Sequence, residues 1–348
     1  MYYFVSKIRF LQLNGVKSKV KFRIIGIIFL GILWACHSGR ESVGRDSGVD
    51  VIRFDRHLFA LDHEFPDIQS LDARDSVFFR LYVEGILQLG KADNPELPEL
   101  LSLFLQDSII LEVYDSVALR YPDMMSQEKE LAEAFRNYAY YFPGKPIPAV
   151  YTYISGFNQS VVVDSNFIGI SLDNYLGEDC VFYKMLATPI PRYITRRMTE
   201  REIVRDALYG WLNAEYPFRP RRLDLLSGII YQGKIMYLLE KLLPDYEQER
   251  LFGYTPEQLE WCRNSEESIW EFMVDNEYLF ENQQMLFRKY LNEAPFSSGM
   301  PQESPGKAVV WCGYQIVREY LRKKDCTLQE LMEEQDYHKI LRGAAYRP

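Results

Sequence analysis

Histidine is nearly missing: the chain has four in 348 residues, at positions 37, 57, 63 and 338. His57 and His63 stand six apart, which fits neither one helix face nor a finger, and no H-E-x-x-H occurs. A catalytic zinc site therefore has no ligand set to build on. Cysteine is as sparse, with five residues and no C-x-x-C, so a disulfide-dense scaffold is excluded. No P-loop, no G-x-G-x-x-G and no G-x-S-x-G appears. The phosphate-cradling loops and the nucleophile elbow are thereby missing, and no cofactor is expected. Bases number 40 against 49 acids, a formal charge of −9. That balance argues against nucleic acid, whose recognition runs on Lys and Arg neutralising phosphates. Low-complexity stretches are missing too, and 47% hydrophobic with 15% aromatic residues describes a chain that folds.

One further absence is local. Residues 1–35 hold no acid and six bases: Lys7, Arg9, Lys17, Lys19, Lys21 and Arg23. The apolar run behind them, Ile24 to Trp34, is shorter than the about 20 residues a spanning helix needs. A basic region followed by a short apolar one is a secretory signal. It ends Leu33-Trp34-Ala35-Cys36, which looks like a bacterial lipobox. Residues 1–35 are read as a lipoprotein signal peptide, cleaved before Cys36, with Cys36 acylated by palmitate-type chains. Two or more acyl chains hold a protein stably on a membrane, at roughly 0.8 kcal/mol per buried CH₂. Residues 36–50 are rich in Gly, Ser and charge and read as a flexible tether. Without residues 1–35 the chain keeps 34 bases against 49 acids, a formal −15. Such a body is repelled by an anionic membrane surface, so the lipid is what holds it there.

Residues 51–348 read as one α+β domain, mostly helical. Val51 to Phe59 is a short strand or extended entry segment. Apolar positions from Phe78 through Tyr82 and Ile86 recur at helical spacing. Helices are expected at Leu100–Arg120, Gln127–Tyr141, Leu223–Leu243 and Ala308–Lys323. Ala149–Ile154, Gln159–Asp164 and Phe167–Leu172 are β-branched or aromatic runs, expected to form a small three-stranded antiparallel sheet. Ser155-Gly156-Phe157-Asn158 is taken as the turn of a hairpin between the first two. Thr199-Glu200-Arg201-Glu202, Thr255-Pro256-Glu257-Gln258 and Thr327-Leu328-Gln329-Glu330 carry capping-box spacing, and Ser265-Glu266-Glu267 is a further helix start.

Carboxylate pairs are abundant, as at Asp173, Glu178 and Asp179, but 49 acids produce such pairs by chance. The aromatic groups around Tyr138–Phe142 and Trp270–Phe280 are core packing before they are ligand pockets. Cys180, Cys262, Cys312 and Cys326 allow three disulfide pairings or four free thiols. Eight Arg fall within the 31 residues from Arg192 to Arg222. Of these, Arg219, Arg221 and Arg222 are candidates for binding an acidic partner through bidentate contacts.

Several stretches in order resemble the gliding-motility lipoprotein B family of the Bacteroidetes. They are Ile52-Arg53-Phe54-Asp55-Arg56, Gly233-Lys234 with Met236-Tyr237, and Gly253-Tyr254-Thr255-Pro256-Glu257-Gln258 with Trp261. Pro305-Gly306-Lys307, then Trp311 with Gly313-Tyr314-Gln315-Ile316-Val317-Arg318, and a terminal Tyr346-Arg347-Pro348 complete the set. The resemblance covers roughly residues 50–348 and implies an envelope lipoprotein that serves gliding or envelope maintenance. In lipoproteins of that phylum an acidic run after the Cys marks export to the surface. Ser38-Gly39-Arg40-Glu41 is no such run, which implies an outer-membrane protein facing the periplasm.

The sequence is also similar, remotely, to zinc-peptidase-like families with a small sheet followed by an active-site helix. Carried onto this chain, the ligand register falls on Arg205, Asp206 and Tyr209, with a third position near Gln232. These residues make no zinc set, so the resemblance implies a degenerate peptidase-like fold without metal. The expected function is non-enzymatic, through contacts with envelope proteins. The alternative is a cryptic envelope hydrolase, peptidase-like or acting on the cell wall.

Overall fold

A computed structural model describes residues 49–348. The first of them enter a sheet at once as β1 (Val51–Ile52), and five helices follow: α1 (Phe54–Phe59), α2 (Ile68–Leu81), α3 (Leu97–Leu105), α4 (Ser108–Arg120) and α5 (Met125–Tyr141). A π-turn at Tyr82–Ile86 extends α2. Then come β2 (Ala149–Tyr153), β3 (Val161–Asp164) and β4 (Phe167–Ser171). The rest is helical: α6 (Val181–Met185), α7 (Arg192–Thr195), α8 (Ile203–Glu215), α9 (Leu225–Leu242), α10 (Gln248–Phe252), α11 (Pro256–Asn264), α12 (Glu266–Asp275), α13 (Gln284–Leu291), α14 (Ala308–Lys323), α15 (Leu328–Glu333) and α16 (Tyr337–Ala344). Among the described residues no helix is long and apolar enough to cross a membrane. The expected signal peptide, Cys36 and nearly all of the expected tether lie outside the described residues.

The mostly helical α+β class is as expected, but the sheet is not. It has four strands in the order β1-β2-β4-β3 and is mixed. β2 runs parallel to both β1 and β4, and only β3 and β4 are antiparallel. The hairpin therefore turns at Ser165-Asn166, and Ser155–Asn158 belongs to the crossover from β2. The reason is a buried carboxylate. Asp173 accepts the backbone N–H of Ser155 at 3.2 Å and of Phe157 at 2.8 Å, and the Ser171 hydroxyl. Gly156 and Phe157 both take left-handed backbone, with φ of 65° and 66°. The loop so pinned turns away from β2 instead of returning along it. Burial raises the Asp173 pKa, and the Ser171 and backbone donors oppose that rise.

Register explains the faces. Tyr151 and Gly169 are paired, and both meet Phe78 of α2; the Phe78 and Tyr151 rings stack at 4.5 Å. Val161 and Val163 of β3 face Gly210 of α8. The sheet thus lies between α2 and α8. Its edge is clamped by Arg53, which makes two bonds to the buried Asp55 at 3.0 and 2.7 Å and donates to the Tyr121 carbonyl at 2.9 Å. Thr152 of β2 donates to the same Asp55. The Ile52–Arg56 stretch is accordingly a structural clasp.

Beyond α8 the fold is organised by α9 crossing α14. An added Cβ on Gly233 would lie 2.6 Å from Tyr314 N, and one on Gly313 would lie 2.8 Å from the Ile229 carbonyl carbon. Only two glycines allow backbones so close. Apolar side chains from all these elements share one continuous core. All four described cysteines are free thiols, with Cys262 and Cys312 buried.

Local expectations divide by the reach of their side chains. Thr255 and Thr327 form true capping boxes with Gln258 and Glu330. Thr199 and Ser265 make no side-chain cap. Glu202 turns instead toward Arg250, at 3.7 Å, and Glu266 accepts Trp311 Nε1 and the Tyr346 hydroxyl, both at 2.8 Å. Leu100–Arg120 is two helices, because Asp107 caps α4 by accepting the amides of Ile109 and Ile110.

Candidate functional site

The four positions on which the peptidase-like register falls, Arg205, Asp206, Tyr209 and Gln232, come together in pairs. On α8, Arg205 and Tyr209 are one turn apart, and the guanidinium lies over the phenol ring at 4.5 Å. Tyr209 donates to Gln232 Oε1 of α9 at 2.6 Å, which links the two helices. Asp206 Oδ1 accepts from Arg205 Nη1 at 2.8 Å and from Arg197 Nη2, just before α8, at 2.9 Å. Its other oxygen accepts a long 3.4 Å bond from Tyr175, which stands behind β4.

Other side chains complete the cluster. Arg197 Nη1 donates to Glu293 at 3.1 Å, and Lys307 donates to the same oxygen at 2.6 Å. Burial opposes the charge on Glu293, but Lys307 and Arg197 outweigh it and hold the carboxyl down at about 2. Arg205 is 2% exposed and also donates to the Leu251 carbonyl at 2.9 Å. The family-like stretches meet here. Gly253 is left-handed, with φ 70°, and the Arg197 guanidinium covers it where a Cβ would stand. Tyr254 donates to the Lys307 carbonyl at 2.8 Å. Gly306 lets the chain pass the Ala294 backbone, placing Lys307 beside Glu293.

The chemistry of this set is that of an internal ion network. Asp206 Oδ1 and Glu293 Oε1 each accept from two cations. Arg197 Nε, Arg205 Nη2 and Arg250 Nε are buried without a hydrogen-bond partner, against one such carboxylate oxygen, on Glu202. Surplus donors and three nearby guanidinium groups repel a divalent cation, so the residues do not fit the zinc of a peptidase. Among the described residues no group of three or more His, Cys, Asp or Glu is placed to hold a metal.

The arginine-rich stretch is not one patch. Arg192 pairs with Glu178, Arg201 with Glu247, and Arg196 donates to Gln258. Arg197 and Arg205 are the network's own. Arg219, Arg221 and Arg222 lie apart, exposed, on the loop from α8 to α9. Sequence reasoning missed Arg197 and Glu293 as partners of α8, because they stand before α8 and after α13. Lys307 was visible only as part of a motif with no assigned role.

No curated protein and no solved structure matches the chain. A family model described as gliding motility protein GldB matches residues 40–348, nearly its whole length. The chain therefore belongs to the GldB family of gliding-motility lipoproteins.

Proposed function

We infer that this protein is an outer-membrane lipoprotein, acylated at Cys36 and facing the periplasm, which acts through contacts with envelope proteins and not by catalysis. One observation carries the non-enzymatic reading. Asp206, the carboxylate at the peptidase-like register, is held by two guanidinium groups at 2.8 and 2.9 Å. Both charge-assisted bonds fall on Oδ1, so this carboxylate serves as the hub of an ion pair that ties α8 to the segment before it. The Tyr209 hydroxyl is bonded to Gln232 Oε1 at 2.6 Å. The cluster is then the element that fixes α8 to the helical half, and function resides on the surface.

The test is complementation of a deletion in the source cell. Y209F/Q232L removes both partners of one hydrogen bond at once, which is nearly neutral for stability. It should restore motility and envelope morphology fully. Loss of both with an unchanged melting temperature would show the cluster to be an active site. C36S should abolish fatty-acid labelling and release the protein from membranes.

A further inference from the structure

The loop between α8 and α9 joins a basic edge to an apolar one. Leu223 and Phe280 are each 55% exposed, and Met285, at the start of α13, is 74% exposed. The backbone holds the first two elements side by side: Leu225 N donates to the Glu281 carbonyl at 2.9 Å. Arg222 lies over the Phe280 ring at 5.4 Å, and His338 of α16 stacks on the same ring at 5.8 Å. Arg221 N donates to the Gln335 carbonyl at 3.1 Å, which ties the loop to the segment before α16. Arg222 pairs with the buried Asp224 at 3.0 Å, whereas Arg219 and Arg221 make no ion pair among the described residues. An exposed aromatic ring is thus built in rigidly, with two uncommitted guanidinium groups close in sequence.

We propose that this face, Arg219, Arg221, Leu223 and Phe280, docks an acidic, apolar-anchored segment of an envelope protein. Charge complementarity selects that occupant. The chain after residue 35 carries a formal −15, so an acidic partner is repelled over most of the body and finds bidentate cations here. Exposed aromatic and Arg side chains are the anchors that carry binding energy at interfaces. A membrane surface fits less well. Recognition of anionic lipid takes a cluster of about four to eight bases, and only two Arg are free here.

The proposal rests on the contact-based function above and names the surface and partner class. Its test uses full-length, lipidated protein in detergent and a labelled peptide alternating Asp with Leu and Phe. Saturable binding is expected, weakened at least tenfold by R219E/R221E and by F280S, with melting temperatures unchanged. F65S, at another exposed aromatic, should leave binding intact. Three results would overturn the proposal: no saturable binding, equal binding of the peptide with Lys in place of Asp, or binding that R219E/R221E leaves unchanged. So would R219E/R221E-sensitive binding to phosphatidylcholine vesicles containing one-third phosphatidylglycerol, or R219E/R221E-sensitive self-association. If the peptide fails while Y209F/Q232L still complements, the surface assignment falls and the non-enzymatic reading stands.

Discussion

Replacing Gly233 or Gly313 with Ala sets two effects against each other, and the structure decides which wins. In a helix interior Ala is favoured over Gly by about 1 kcal/mol. Against this, the new Cβ at 233 would stand 2.6 Å from Tyr314 N and nearer still to the Gly313 carbonyl. The obstacle is backbone, which cannot swing aside as a side chain can. The two helices must part, and a gap of about 0.5–1 Å forfeits a quarter to a half of each dispersion contact along the crossing. Overpacking costs about 1–3 kcal/mol in ordinary cores. With two buried helices as the unit displaced the cost lies above that range, at about 4 kcal/mol, which less the about 1 kcal/mol gained by Ala leaves about 3 kcal/mol net destabilisation for each single variant. The double variant should lose about 4 kcal/mol and not 6, because one separation relieves both clashes. Urea unfolding should show this as a lower midpoint at constant slope. Gly210→Ala provides the control. Its Cβ would meet side chains and no backbone, Val161 Cγ1 at 3.1 Å and Val163 Cγ2 at 3.7 Å, so that variant should change stability by less than about 1 kcal/mol. Singles costing under 0.5 kcal/mol, or strict additivity, would refute the reasoning.

Other expectations follow from buried charge. Burial pushes the Lys234 ammonium down to about 7, although it donates to the Glu334 carbonyl at 2.8 Å. The unfolded chain holds that proton up to about pH 10.4 and the folded one does not. Stability should therefore rise with pH between about 7 and 10, by up to about 1.4 kcal/mol per unit, and K234M should flatten that slope in thermal melts. Glu293 gives the opposite limb. Its folded value of about 2 lies below the unfolded carboxyl, so its contribution is full above about pH 4.3 and is lost as pH falls toward 2. E293Q should be less stable at neutral pH and lose less than the parent on acidification; an unchanged acid limb would exclude this role. Burial raises the Cys262 thiol far above its usual range and the Cys312 thiol to about 12. Neither should react with a thiol reagent at pH 8 before unfolding, and unfolding without reductant should expose both.

What the sequence could reveal was set by distance along the chain. Thr255 and Thr327 form their boxes within four residues, so spacing sufficed. Thr199 has the same spacing, yet its Glu202 serves Arg250, and no local pattern says so. Strand positions were visible from β-branched runs. Their pairing was not, because the parallel partner of β2 lies beyond the loop that Asp173 pins. At the site, the resemblance brought Arg205, Asp206, Tyr209 and Gln232 to notice, and α8 and α9 do join them. The network needs Arg197, Glu293 and Lys307 as well, which converge only through tertiary folding. The glycines of the α9–α14 crossing read in isolation as poor helix residues; their use becomes visible only when two backbones touch.

The sheet edge has a mechanical meaning. A pull on the chain at residue 49 reaches β1 within two residues. There Val51 N–H is held by Glu128 of α5, and the next residue but one, Arg53, grips Asp55 and the end of α4. Tension arriving along the chain from its N-terminal side is thus shared at once among the sheet and two helices. It cannot peel the fold open one residue at a time. A domain fastened in this way meets a pull on its first described residues at the Arg53–Asp55 clasp.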